Sequence, residues 1–216
     1  TSSRTPPLTP SESAGDRSTS VTKPLESWYD SRGWKPFDFQ RRAWSGYLEG
    51  RSGLVHAATG YGKTYAAWLG AVAEALADAD RGGGGVRVIW LTPLRALVND
   101  TVEALEEPLR DLGLSWKVEK RTADTASDTR SRQRDRLPDV LVTTPESLSI
   151  LLTFANLREQ FGSLRLVVSA SILVGLIATF QVAYQLAPWG AQSMSVKAIG
   201  WFSAREIGPL VAALLV

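Results

Sequence analysis

The sequence predicts an α/β fold in which helices flank a parallel sheet. Short apolar runs, which are typical of buried strands, recur through the first 168 of its 216 residues. These runs occupy residues 53–57, 86–91, 116–118, 140–143 and 164–168, and the third is the weakest. Helical patterns fill the segments between them, as in residues 65–77 and 94–112. Segments of this length are what parallel strands need for their crossover connections.

The composition excludes several classes of function. There is no cysteine, which excludes disulfide frameworks, thiolate catalysis, iron-sulfur clusters and cysteine-based zinc sites. His56 is the single histidine, so no site can use two imidazoles; at the end of the first predicted strand, we expect it to be buried or to support a neighbouring site. The 24 basic and 22 acidic residues nearly balance and indicate no particular partner.

The chain divides into three parts of different composition. Residues 1–24 are rich in Ser, Thr and Pro, and we expect a disordered tail because their few apolar side chains cannot offset the entropy of ordering. Residues 25–168 have the composition of a globular domain, and their first predicted element is a helix over 38–50. Residues 169–216 are nearly uncharged, which predicts hydrophobic helical segments. The charged residues in this last part are Lys197, Arg205 and Glu206.

The motif with the clearest chemistry is Ala57-Ala58-Thr59-Gly60-Tyr61-Gly62-Lys63-Thr64, between the first predicted strand and a predicted helix. Glycines let the backbone curl so that successive N–H groups and the positive end of the helix can hold phosphate oxygens. Lys63 would then reach the β- and γ-phosphates, and the Thr64 hydroxyl would bind Mg²⁺. We interpret residues 57–64 as a phosphate loop; the alternative is a glycine-rich turn without a ligand.

Five segments in a fixed order carry a family resemblance. They are Pro36 to Gln40, Gly53 to Ala57 with the phosphate loop, Thr92 to Leu97, Arg121 to Thr125, and Thr143 to Leu148. Over about residues 34–168 the chain resembles the superfamily 2 DNA helicases of the Lhr type, and most closely the ligase-associated DExH-box helicases. The resemblance implies a P-loop NTPase fold, here an incomplete RecA-like parallel sheet with flanking helices that forms the first lobe of a helicase.

The resemblance also implies ATP and Mg²⁺ as cofactors. Gln40 looks like the glutamine that reads adenine, because its amide can donate and accept at once, with Phe37 as a packing partner for the base. The other positions that would bind the nucleotide are Thr59, Gly60, Tyr61, Gly62, Lys63 and Thr64. Thr64 would also be the ligand of the metal ion.

Further matched positions imply DNA, with RNA as the alternative, as a partner. In such helicases these segments follow a nucleic-acid strand, where backbone amides and an arginine contact phosphates. The positions here are Pro93, Arg95, Thr144, Pro145, Glu146 and Ser147. A structural alternative exists for each group: Arg95 as a surface charge of a helix, and residues 143–147 as a helix N-cap with proline in the first turn.

The chain departs from the family where the acidic Asp-Glu-x-His box is expected. Ser169, Ala170, Ser171 and Ile172 stand there, and neutral side chains of this size cannot bind Mg²⁺ or act as a general base. We therefore assign no catalytic residue and expect this lobe neither to hydrolyse ATP nor to unwind alone. We also expect the sheet to have an unpaired apolar edge after Val168.

The last part of the chain resembles a different family. Residues 172–216 look like a fragment of the permease subunit of lipid-transporting ABC systems, the MlaE-like family, through Phe180 to Leu186 and Ala204 to Val216. Residues 166–196 lack charge and are long enough to cross a bilayer, whereas a buried soluble helix is the alternative. The simplest interpretation is a chimera joined at residues 168 and 169, and a permease component or a nonfunctional hybrid are the alternatives to the helicase lobe. We expect a cytoplasmic location for the helicase part and membrane association only through residues 169–216.

Overall fold

The computed structural model describes residues 12–58, 60–78, 85–92, 94–170 and 197–201. The strands in these ranges are β1 (Gly53–Val55), β2 (Val88–Leu91), β3 (Val118–Arg121), β4 (Val140–Thr143), β5 (Leu166–Ser169) and β6 (Lys197–Trp201). All pair in parallel in one sheet of order β1-β6-β5-β2-β4-β3. The predicted parallel sheet is confirmed.

Helices connect the strands and cover the sheet. Their bounds are α1 (Glu12–Ser31), α2 (Asp38–Leu48), α3 (Lys63–Ala77), α4 (Leu97–Asp111), α5 (Ser127–Asp135), α6 (Pro145–Leu152) and a 3-10 helix at Ala155–Ser163. Each described strand up to β4 is followed by a helix before the next strand begins, which is the βα alternation that the spacing of apolar runs predicts.

The two faces of the sheet bury separate apolar cores. Strand β2 is buried at every position, and its side chains alternate between the faces. Val88 and Trp90 pack with residues of α1 to α4, whereas Ile89 and Leu91 pack with α6 and the 3-10 helix. The first core is rich in tryptophan, and the indole N–H of fully buried Trp68 donates to the Leu105 carbonyl at 3.1 Å.

Helix α1 corrects the prediction of a disordered tail. The helix begins at Glu12, so that prediction is wrong for residues 12–24, while residues 1–11 lie outside the described residues. Val21, Leu25, Trp28 and Tyr29 recur at helical spacing and pack into the first core, where Leu25 is fully buried. The Ser- and Thr-rich composition concealed this short apolar stripe.

A polar cluster fastens α1 to α4. Arg32 donates to Glu107 at 2.6 Å and to Asp111, and its guanidinium lies 4.5 Å from the centre of the Trp28 ring. The Trp28 indole N–H donates to Asp111 at 2.9 Å. The Tyr65 hydroxyl also donates to Glu107, which, with Arg32, lowers the pKa of that carboxyl. These contacts offset the entropy of ordering a helix that precedes the sheet.

Strand β6 corrects the expectation of an unpaired edge after Val168. It lies between β5 and β1, with Val168 opposite Ile199 and Gly53 opposite the same residue on the other side. The edge strand on this side of the sheet is instead β1, where Gly53 and Leu54 are exposed and only Val55 is buried. The prediction of a buried first strand over 53–57 is therefore wrong at Gly53, Leu54 and His56, and the strand ends at Val55.

The proposed junction between residues 168 and 169 falls inside β5, which continues to Ser169. Most of the segment 169–216, including both stretches that resemble a permease, lies outside the described residues. Among the helices that the structure describes, none combines the length and the apolar character that crossing a membrane requires.

We expect Glu107→Gln to destabilise the attachment of α1. An ion pair of this exposure contributes about 1 kcal/mol, which corresponds to a fall in Tm of roughly 2–4 °C. The pKa of Glu107 is lowered in the folded state, so its contribution to the free energy of unfolding is complete when the pH is above the ordinary pKa of 4.5. That contribution is lost as the pH falls through the lower pKa of the folded state. Thermal melts between about pH 3 and pH 7 should thus show a difference that disappears in acid.

The matched control is Glu103→Gln, which neutralises an exposed carboxylate on the same helix. It should leave Tm unchanged at both ends of this pH range. An equal loss in both variants would show that the Arg32 cluster does not stabilise the fold.

Candidate functional site

The phosphate loop connects β1 at the sheet edge to the start of α3. Gly60 and Gly62 have φ values of 87° and 72°, a left-handed backbone conformation that residues with a side chain rarely adopt. This backbone turns the chain so that α3 begins directly at Lys63, and no side chain caps its first turn. An uncapped helix start can hold an anion through its N–H groups and its dipole. Thr59 lies outside the described residues.

Lys63 folds back over the loop that precedes it. Its ammonium donates to the carbonyls of Ala57 and Ala58, each at 2.8 Å. The charge is thereby held at the mouth of the loop, with neutral acceptors that a phosphate oxygen can replace. A phosphate would form stronger, charge-assisted hydrogen bonds with this group.

Gln40 joins α2 to the same loop. Its amide oxygen accepts from the Phe37 N–H at 2.8 Å, and its amide nitrogen donates to the Gly62 carbonyl at 3.0 Å. The side chain is only 2% exposed. The role of this amide in reading adenine stays a prediction. In this structure its geometric effect is to hold the loop at Gly62.

Two exposed aromatic rings lie next to the loop. Phe37 is 48% and Tyr61 50% exposed, and their ring centroids are 5.4 Å apart. Phe37 also stacks on Phe39 at 5.8 Å. Exposed rings of this kind offer a flat apolar surface on which a nucleobase can stack.

A cavity of about 460 Å³ opens behind Lys63 and Thr64. Its other walls include Thr92 at the end of β2, Ala170 after β5, and Asp100 and Thr101 of α4. Ser169, which occupies the first position of the expected acidic box, is buried at 5% exposure, and the Ala170 N–H donates to the Leu91 carbonyl at 3.0 Å. Strand β5 therefore brings a hydroxyl and a methyl group, and no carboxylate, to this place.

Asp100 is a residue that the sequence analysis missed. It is exposed, lies in the first turn of α4, and is the single carboxylate among the residues that line this cavity. The signal was the helical spacing of Leu97, Thr101 and Ala104, which line the cavity with it. His56, by contrast, is exposed, so the expectation that it is buried is wrong.

The predicted nucleic-acid positions gather at the carboxyl ends of β2, β4 and β3. Arg95 follows β2 and pairs with Asp124, which follows β3, at 3.5 Å; both side chains are mostly exposed. Thr144 begins the turn after β4, the strand between these two. Pro93 lies outside the described residues. The structure thus brings Arg95 and the segment 144–147 together at the carboxyl ends of neighbouring strands.

The segment after β4 also has the geometry of a helix cap. The Thr144 hydroxyl accepts from the Ser147 N–H at 3.4 Å, and Pro145 is the first residue of α6. Thr144 and Ser147 are buried, whereas Glu146 is exposed. The structural alternative of an N-cap with proline in the first turn is confirmed, and a role in binding nucleic acid stays a prediction.

Comparison with protein families gives two matches. The model described as "DEAD/DEAH box helicase" matches residues 37–169, which include the phosphate loop and both groups of predicted site residues. The model described as "Permease MlaE" matches residues 158–216, a minority of the chain.

Similar proteins are Lhr-type helicases. The "ATP-dependent helicase Lhr-Core" of Methanothermobacter thermautotrophicus is 39% identical over 161 residues, which are 69% of this chain and 19% of that protein. The "Lhr helicase/ probable uracil glycosylase" of Mycolicibacterium smegmatis is 38% identical over 65% of this chain and 10% of that protein. The chain thus spans about a fifth or less of the length of these curated relatives.

Solved structures agree on the fold. The structure described as "Mycobacterium smegmatis helicase Lhr bound to ssDNA and AMP-PNP" matches with a TM-score of 0.72 and 31% identity, over 88% of this chain and 25% of that chain. The DUF1998 helicase MrfA bound to DNA and AMPPNP matches with a TM-score of 0.73 at 18% identity, over 90% of this chain and 27% of that chain, a likeness of fold alone.

The contact between Gln40 and the loop makes Gly62→Ala costly. A Cβ at this position would lie 2.7 Å from the Gln40 amide nitrogen, in addition to the strain of a positive φ. We expect the free energy of unfolding to fall by about 2–3 kcal/mol, measured by urea denaturation. Gly50→Ala is the matched control, because Gly50 has a φ of 78° and nothing within 4 Å of the new methyl group. It should cost only about 1–2 kcal/mol from the backbone; equal losses would mean that Gln40 does not constrain the loop.

Proposed function

The chain belongs to the DEAD/DEAH box helicase family and is similar to its Lhr-type members, and from this premise we propose that it is a lobe that binds ATP and single-stranded nucleic acid. The observation that carries the proposal is the phosphate loop at the carboxyl end of β1, with its left-handed glycines, its uncapped helix start and Lys63. The activity of a whole helicase is a property of proteins far longer than this chain.

The triphosphate would lie at the start of α3. Backbone N–H groups of the loop, together with the ammonium of Lys63, would hold its oxygens. The base would stack beside Phe37 and Tyr61, close to the amide of Gln40. This arrangement supports the assignment of residues 60–64 and Gln40 to the nucleotide, and the assignment of Thr59 stays a prediction.

The donor set fits Mg²⁺ in part. The Thr64 hydroxyl lines the cavity next to Lys63 and is the group that would hold the ion, while β5 provides no carboxylate at Ser169 or Ala170. When bound to ATP, the ion would neutralise phosphate charge. A hydrolytic step also needs a group that takes a proton from water, and a methyl group at Ala170 cannot do so. We therefore propose binding of ATP without measurable turnover by this lobe.

Nucleic acid would lie across the carboxyl ends of β2, β4 and β3. The exposed guanidinium of Arg95 and the start of α6 at Pro145 are there to contact phosphates. The relative from Mycobacterium smegmatis was solved with ssDNA, which supports DNA over RNA as the strand here. Contacts to phosphates alone would make binding independent of base sequence and strongly dependent on salt.

A permease component is the second candidate, and it rests on residues 158–216. The described residues of that range, 158–170 and 197–201, form the end of the 3-10 helix and two strands of the central sheet. Their place inside the α/β fold supports the helicase lobe over a membrane component. Whether a natural protein joins the two sequences at residues 168 and 169 stays a prediction.

The test of the nucleotide site is equilibrium binding of ATP by Lys63→Ala. We expect at least about tenfold weaker binding, because a charge-assisted contact to phosphate is worth 1.5–3 kcal/mol, approximately. Lys117→Ala, which removes the exposed lysine directly before β3, is the control and should bind ATP as the parent protein does. ATP binding that survives Lys63→Ala, or no binding by the parent protein, would refute the nucleotide site.

The nucleic-acid surface is tested with Arg95→Ala and a labelled single strand of DNA. We expect the slope of log affinity against log salt concentration to decrease by roughly 0.7, the value for one phosphate contact on a single strand. Arg42→Ala, an exposed arginine of α2 outside this surface, should leave the slope unchanged. Identical slopes in all three proteins would place the strand elsewhere.

A further inference from the structure

We infer that Asp100 supplies the carboxylate on the metal side of the nucleotide pocket and holds, through water, the Mg²⁺ that accompanies ATP. This inference rests on the proposed function, because it requires ATP to bind at the phosphate loop. Asp100 belongs to α4, whereas the groups considered so far for the metal ion belong to the phosphate loop and to the end of β5.

The first step of the argument is position. Asp100 lines the same cavity as Lys63 and Thr64, so it borders the space where phosphate and metal would lie. Ala170 lines this cavity as well, at the second position of the absent acidic box. Helix α4 therefore provides a carboxylate at a place where β5 provides no carboxylate.

The second step is that the carboxylate is uncommitted. Among the described residues, none donates a hydrogen bond or forms an ion pair with Asp100, whereas nearby Arg95 pairs with Asp124. The Lys63 ammonium is directed to the Ala57 and Ala58 carbonyls and leaves Asp100 unneutralised. A lone carboxylate beside a triphosphate repels it, and a divalent cation between them turns that repulsion into attraction.

The third step is space. Mg²⁺ gives up its water reluctantly and is commonly held by one or two carboxylates and phosphate oxygens, with several waters retained. Six waters occupy about 180 Å³ at ~30 Å³ each, and the cavity measures about 460 Å³. The cavity that both Asp100 and Thr64 line therefore has room for the hydrated ion, so direct contact with the carboxylate is unnecessary.

The experiment compares ATP affinity in MgCl₂ and in EDTA for the full chain and for Asp100→Asn. For the parent protein we expect Mg²⁺ to tighten ATP binding about tenfold, the factor that corresponds to 1.4 kcal/mol. For Asp100→Asn we expect tighter binding than the parent protein in EDTA, because a repulsion is removed, and a gain from Mg²⁺ of about twofold or less. A variant that merely folds poorly would bind more weakly in both conditions.

Two further variants complete the test. Glu103→Gln removes the same charge one turn along α4, outside this cavity, and should keep the full effect of Mg²⁺. Asp100→Glu, which retains a carboxylate, should restore most of the gain that Asp100→Asn loses. If Asp100→Asn keeps the tenfold gain, or if the parent protein binds ATP with no gain from Mg²⁺, the inference is overturned. If the parent protein binds no ATP in either condition, the proposed function itself fails.

Discussion

The arrangement of this molecule follows from one constraint, the parallel pairing of its strands. In a parallel sheet the carboxyl ends of all strands lie along one edge, which runs across the strands. Residues that are distant in sequence and follow different strands therefore come together there. The phosphate loop follows β1, Ser169 ends β5, and Arg95 and Thr144 lie after β2 and β4. Every candidate functional group of the described residues, apart from those of α2, owes its place to this shared edge.

Strand order divides that edge into two halves. The phosphate loop and the end of β5 lie on one side, and the turns after β4 and β3 lie on the other. Strand β2 separates them, and the segment that follows it contributes to both: Arg95 reaches the turn after β3, whereas Asp100 lines the cavity behind Lys63. Because Arg95 lies two residues before α4 and Asp100 lies in its first turn, a shift at the start of α4 would move both side chains.

The sequence allowed the sheet and the loop to be predicted because each depends on local pattern. Apolar runs located four strands, the weaker run at 116–118 meets β3 only at Val118, and glycines ahead of Lys63 located the loop. The failures have physical causes: α1 has only a narrow apolar stripe that includes Leu25, and β6 lies within residues 169–216, whose low charge predicted hydrophobic helical segments. The contribution of Asp100 depends on how α4 crosses the sheet, and single-sequence periodicity does not contain that tertiary information.

Binding and hydrolysis make different demands on such a site, which is why loss of the acidic box need not abolish both. Holding a triphosphate uses backbone N–H groups, a helix start and one ammonium, all of which the loop provides before any ligand arrives. Gln40 constrains this part through its hydrogen bond to the Gly62 carbonyl. Hydrolysis requires in addition a base placed within hydrogen-bonding distance of one water molecule, and the methyl group of Ala170 cannot act as that base. The proposed binding of ATP thus rests on the loop at the start of α3, whereas the proposed lack of turnover rests on the residues at 169 and 170.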